Sequence, residues 1–293
     1  VSSAYVEPRW EGAIEPTPEL LVAIRPHALR RDKLYGPLLQ RAIRLAREHS
    51  RIVAATRALE TIEDADEVIV GARDAGPGSR REPSLVIVLR GVPAGIDPTK
   101  LVGDGGGPLW VLASGGPVRE LSRTRDEGDP EDEGADAALF ELPGRTWVIA
   151  SGDARVATRA ALGHRTAPKG LDFSPEAVAM IRISGPALVA RLHALRPPGL
   201  LAPVGHELAA ITVVLSGGDD ARLMATLSYR NPQAVVPAES TLRDALEALS
   251  RAKPQTFAWL RGASTQTAGS SVVLTTRLPV ALMDALVHPT PEY

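Results

Sequence analysis

Glu207–Arg230 reads ELAAITVVLSGGDDARLMATLSYR, and the fold class is argued from it. Ile211, Val213 and Leu215 alternate with Thr212, Val214 and Ser216. Beyond Gly217-Gly218-Asp219-Asp220, Leu223, Ala225, Leu227 and Tyr229 alternate with Met224, Thr226, Ser228 and Arg230. Apolar residues at every second position on both sides of a Gly/Asp turn predict a β-hairpin with one face on a core. The two glycines supply the positive φ angles that a tight hairpin turn needs.

Outward from the hairpin, Ala177–Ile183 reads as a strand and 186–195 as a short helix. Ser240 or Thr241 is placed to cap a helix whose inner face is Leu242, Ala245, Leu246 and Leu249. Thr256–Leu260 and Val272–Leu278 are expected to pair across a Gly/Ser/Thr-rich loop, with Pro279 opening a last helix. In the first half, Leu20–Ile24 predicts a strand and Leu34–His49 an amphipathic helix. Glu67–Ala72 and Leu85–Leu89 predict two strands. The second is apolar on both faces, which suits a central position. Asp97-Pro98 predicts a short helical turn. Leu109–Leu112 and Arg119–Thr124 predict further strands. Leu139–Leu142 and Thr146–Ala150 predict a hairpin across Pro143-Gly144. Asp153 is expected to cap a helix reaching Leu162.

The two halves share an element order and rhyming segments, such as Val22-Ala23-Ile24-Arg25 with Met180-Ile181-Arg182-Ile183. The expectation is an α+β protein, a tandem duplication of a strand-helix-hairpin-helix-hairpin-helix unit. Its sheets are mainly antiparallel, with helices packed on one face. The boundaries expected are an extended N-terminal arm or tether at 1–19, a first lobe at 20–165, a linker at 166–175 and a second lobe at 176–293. The first lobe carries an acidic loop at 126–136. This order of elements is loosely similar to duplicated α+β proteins of bacterial cell envelopes, and no motif accompanies the likeness.

Composition narrows the function classes. The 293 residues are 44% hydrophobic and 23% charged, as in an ordinary globular protein. A formal net charge of −2 gives no global attraction to nucleic acid or an anionic membrane. Nucleic acid is further disfavoured by the lack of aromatics interleaved with the basic residues for base stacking. No stretch is long and apolar enough for a transmembrane segment. The absence of cysteine removes disulfides, thiolate metal sites and cysteine nucleophiles together. The chain opens on Val1, which raises the expectation of a cleaved export leader or a lipid anchor ahead of that residue.

No motif carries chemistry strongly. No two of the six histidines stand at the i, i+4 spacing of a helical zinc site, and no metal, cofactor or catalytic residue is assigned. Ser151 lies between a strand and a helix, but Ser151-Gly152-Asp153 reads more simply as a polar turn. Gly103–Pro108 lacks the lysine of a phosphate loop, and a strand follows it. Two charge features stand out. Arg41, Arg44, Arg47 and Arg51 form one helix stripe, suited to docking on an acidic or phosphate-bearing partner. Asp126, Asp129, Glu131, Asp132 and Glu133 are a candidate cation-binding cluster, without the ligand spacing of an EF-hand.

The expected function is a non-catalytic binding or assembly protein of a bacterial cell envelope, acting through protein–protein contacts with a protein partner or a second copy. Contact is expected through exposed sheet edges or the arginine helix. Periplasm or outer envelope is the expected location, with cytoplasm as the alternative. The alternative function is a small-ligand binder or hydrolase-like enzyme with a site between the lobes, drawing on Ser151, Asp153, His206 and Glu207.

Overall fold

The computed structural model describes residues 10–14, 18–37, 39–41, 63–73, 84–102, 107–115, 118–124, 137–162, 176–185, 207–218 and 221–279. The chain divides into two compact units, Val1–His27 with Ala42–Phe173, and Ala28–Arg41 with Ser174–Tyr293.

The first unit holds seven strands. They are β1 (Leu20–Ile24), β2 (Glu67–Arg73), β3 (Ser84–Arg90), β4 (Trp110–Ser114), β5 (Arg119–Arg123), β6 (Ala138–Leu142) and β7 (Thr146–Ser151). Their spatial order is β1-β2-β3-β7-β6-β5-β4, and every neighbouring pair is antiparallel. β3 lies between β2 and β7, as its two apolar faces predict.

Register assigns the side chains to faces. Ala23, Ile69, Val88, Val148 and Phe140 stand in one row across β1, β2, β3, β7 and β6. All five are buried. A 3-10 turn at Trp10–Ala13 and helix α2 (Asp153–Ala161) pack on this unit's strands. Gly71 lets Ile14 approach, since a Cβ there would stand 3.0 Å from Ile14 Cγ2. On the opposite face, Val68, Leu89, Trp147, Leu139, Leu121 and Trp110 form a second core with Val92, Ile96, Leu101 and Leu109 of the β3–β4 connection. A 3-10 turn at Pro98–Lys100, capped by Asp97, shapes that connection.

The second unit holds five strands. They are β8 (Ala177–Ser184), β9 (Leu208–Ser216), β10 (Arg222–Tyr229), β11 (Ser264–Ala268) and β12 (Ser271–Arg277), in the spatial order β11-β12-β10-β9-β8. The 207–230 stretch forms the expected hairpin, Ile211 opposite Leu227, Val213 opposite Ala225 and Leu215 opposite Leu223. Helix α3 (Val235–Ala252) lays Val235, Ala238 and Leu242 on the core built from Ala225, Leu227, Val272 and Leu274. The remaining helices are α1 (Pro26–Arg31), which spans the passage of the chain from the first unit to the second, and α4 (Pro254–Phe257).

The expected fold class is overturned. Antiparallel strands dominate the structure, twelve among the described residues, and only four α-helices are described from end to end. The units do not repeat one strand-helix-hairpin pattern. The first runs from β2 to β7 with no α-helix among its described residues, adding the meander β4-β5-β6, and it buries both faces of its sheet. Rhyming apolar runs reflect the shared needs of buried strands, which any antiparallel sheet imposes.

Three local expectations also change. Asp153 is the first helical residue, not the cap. Gly152 is the cap, at φ 60 and ψ −142, and the Asp153 carboxylate sits in the first turn, where the helix dipole favours it. α3 begins at Val235, ahead of Ser240, because Asn231 caps a 3-10 turn at Pro232–Ala234 that feeds it. Thr241 instead donates its hydroxyl to the Pro237 carbonyl at 2.9 Å. The 254–262 stretch is helical, as α4 and a following 3-10 turn, and the partner of β12 is Ser264–Ala268.

Candidate protein-binding edge

Of the arginine stripe, Arg41 is described. It lies in a stretch that is helical at 36, 37 and 39–41, and it is half-buried. Arg44, Arg47 and Arg51 lie outside the described residues, as do Asp126, Asp129, Glu131, Asp132 and Glu133. Ser151 and Asp153 belong to the first unit and Glu207 to the second, while His206 lies outside the described residues. Ser151 pairs with Leu85 through the backbone as the last residue of β7. Among the described residues no group of three or more His, Cys, Asp or Glu is placed to hold a metal ion.

The feature that stands out is the outer strand β4, the end of the sheet order in the first unit. Its inner side is firmly held. Trp110 is buried and stands opposite Arg123, with Leu112 opposite Leu121. Leu109 donates to the Leu101 carbonyl at 2.7 Å, and Thr124 donates to the Leu109 carbonyl at 3.1 Å. The Thr124 hydroxyl also bonds the Pro108 carbonyl. Beneath the strand, Asp97 Oδ1 accepts from the Thr99 hydroxyl at 2.8 Å and the Thr99 amide at 3.1 Å. Those bonds, chiefly the hydroxyl's, hold the Asp97 carboxyl below its usual range. Arg119 stands 3.9 Å from Asp97 and donates to Glu141 at 2.7 Å.

Among the described residues no strand pairs with the outer side of β4. Val111 is 47% exposed and Leu112 54% exposed, and successive strand residues present them to opposite faces. Ala113 and Ser114 are exposed as well. Sheet edges are ordinarily blunted by charge, proline, a bulge or a covering element, because unpaired N–H and C=O groups recruit further strands. β4 has neither charge nor proline. Among the described residues one protection is present, a register shift between Leu112 and Ser114. The sequence reading found this strand without its edge position. That position follows from β7 pairing with β3, which no local pattern announces.

Close by, the buried Glu120 on β5 receives Arg159 from α2 through both carboxylate oxygens, at 2.9 Å for Nε to Oε2. Arg155 donates to Ser122 at 3.2 Å. The carboxylate raises the Arg159 pKa through its hydrogen bond and its charge. This network clamps α2 to the sheet. The class is therefore a predominantly antiparallel β-protein with helical covers. No helix among the described residues is long and apolar enough to cross a membrane.

No protein-family model matches the chain, and no curated protein matches it. Among solved structures, the chain is similar in fold to TP0453, a treponemal protein solved in its crystal form I. The TM-score is 0.54 at 12% sequence identity, over 97% of this chain and 97% of that one.

Proposed function

We propose that this chain is a non-catalytic binding or assembly protein of a bacterial cell envelope, acting through protein–protein contacts, with β4 as the contact strand. The observation that carries the reading is the pair Val111 and Leu112, both exposed on an uncharged outer strand. An incoming extended segment gains main-chain hydrogen bonds along such an edge and sets apolar side chains beside those two residues. The periplasm or outer envelope is the proposed location; the likeness to TP0453, at 12% identity, bears on the fold alone. The stripe Arg41, Arg44, Arg47 and Arg51 is a second docking candidate.

Leu112→Lys tests the reading. A lysine on an open edge is a common natural block to strand addition. Immobilised wild-type chain should retain a partner from detergent-solubilised envelopes that the variant loses. Stability of the variant should stay within about 0.5 kcal/mol of wild type, as surface substitutions do. Equal retention by both proteins would remove β4 from the proposal. Retention lost only on charge reversal of Arg44 and Arg47 would move the contact to the helix.

A further inference from the structure

A second feature of the first unit is independent of the β4 edge. Four neighbouring strand ends meet on one side of its sheet: the end of β1, the start of β2, the end of β3 and the start of β7. Register sets Glu67 opposite Arg90 and Arg90 opposite Thr146, and Arg25 follows Ile24, whose partner is Val68. Arg25, Asp66, Glu67, Arg90, Gly91, Gly144, Arg145 and Thr146 line a cleft of about 370 Å³ there. Three guanidinium groups thus face two carboxylates.

The charges are not equally committed. Arg90 bonds Glu67 through Nη1, and its guanidinium carbon lies 5.2 Å from the centroid of the Trp10 ring. A guanidinium carries five N–H donors, so this ion pair leaves others available. The Asp66 carboxylate lies against Gly91, where a Cβ would come within 1.9 Å of Asp66 Oδ2. Arg145 is exposed, and among the described residues its side chain makes no hydrogen bond or ion pair. Its backbone is held by Val92, which donates to the Arg145 carbonyl at 3.0 Å.

Arg145 also has φ 58, immediately after Gly144 at φ 74. The left-handed region is costly for a residue with a Cβ and free for glycine. A long cation therefore occupies a turn position where glycine would be less strained, at the mouth of a cleft with two more arginines. Strain retained at a polar cleft is a reason to look for a ligand.

We propose that this cleft binds the oxyanion group, carboxylate or phosphate, of a small ligand, with Arg145 and Arg90 as the fork donors. Arg suits the task because its planar N–H pairs match two oxygens of either group. Arg25 adds positive charge from the neighbouring strand end. Asp66 opposes the anion and limits its affinity.

The test is a titration of the full chain with inorganic phosphate and, separately, acetate, at constant ionic strength. It is followed by the amide resonances of Gly91, Gly144 and Arg145. Saturable shifts are expected with at least one anion, and which anion saturates tells phosphate from carboxylate chemistry. Arg145→Gly should weaken binding about tenfold, the loss of one charge-assisted contact, while raising the melting temperature by relieving the backbone. Arg145→Lys should also weaken binding, since it keeps the charge but loses the fork, and Asp66→Asn should tighten it. Shifts that saturate with neither anion, or equal affinity in Arg145→Gly, would overturn the proposal.

Discussion

Asp32 holds the turn of the β9–β10 hairpin: its Oδ2 accepts a hydrogen bond from the Gly218 amide at 2.7 Å. Its Oδ1 accepts from the Leu34 amide at 2.8 Å and the Tyr35 amide at 3.0 Å. One carboxylate thus orders its own loop and ties it to a turn 186 residues away within the same compact unit. Gly217 makes room for it, since a Cβ there would lie 2.5 Å from Asp32 Oδ2 and 3.1 Å from Val178 Cγ1. Asp32→Ala should lower stability by about 2 kcal/mol in a urea melt, in keeping with hydrogen bonds to a charged acceptor. Amide exchange at Leu34, Tyr35 and Gly218 should accelerate together. Acceleration at Leu34 and Tyr35 with Gly218 unchanged would show that the carboxylate serves its own loop alone.

Tyr35 supplies a pH signature for the same docking. It is buried, and its hydroxyl donates to the Ser216 carbonyl at 3.1 Å. Burial, helped by the nearby Asp32 charge, pushes its pKa up to about 12 from the ordinary 10.0. A folded-state pKa above the unfolded one means that this contribution is whole below pH 10 and declines as pH rises toward 12. Stability measured across that window should fall in the wild type more steeply than in Tyr35→Phe. At neutral pH the variant should cost about 1 kcal/mol for the lost hydrogen bond. Parallel curves for the two proteins would refute the assignment.

Thr158 on α2 is fully buried, and among the described residues its hydroxyl has no hydrogen-bond partner. An unsatisfied buried hydroxyl is a net cost, and valine has nearly the same shape. Thr158→Val should therefore raise unfolding free energy by about 1 kcal/mol in denaturant titration. A loss of similar size would mean that the hydroxyl is satisfied in solution.

What was legible in the sequence was the alternation that burial enforces. Ile211, Val213, Ala225 and Leu227 announced the β9–β10 hairpin because one face of each strand meets a core. Asp97-Pro98 and Pro143-Gly144 announced their turns because few residues suit those backbone angles. β11 was missed for the complementary reason. Ser264, Gln266, Thr267 and Ala268 are exposed on an outer strand, where no apolar pattern is required, so they read as loop. The start of α3 was missed because Val235-Val236-Pro237 has β-branched residues and a proline. In the first turn of a helix proline costs little, since its missing N–H has no partner there anyway. The oxyanion cleft had no signature at all. Arg25, Asp66, Arg90 and Arg145 are scattered in the chain and converge through strand order alone.

The most direct test of contact through β4 is site-specific photocrosslinking in intact cells, with a photoreactive residue at position 112 and a control at position 236. Val236 is also apolar and, at 71% exposure, more open than Leu112, but it lies on α3 in the other unit. Edge binding predicts a discrete crosslinked protein species from position 112, lost when Val111→Lys is added, and none from position 236. Equal crosslinking from both positions, or none from position 112, would contradict it.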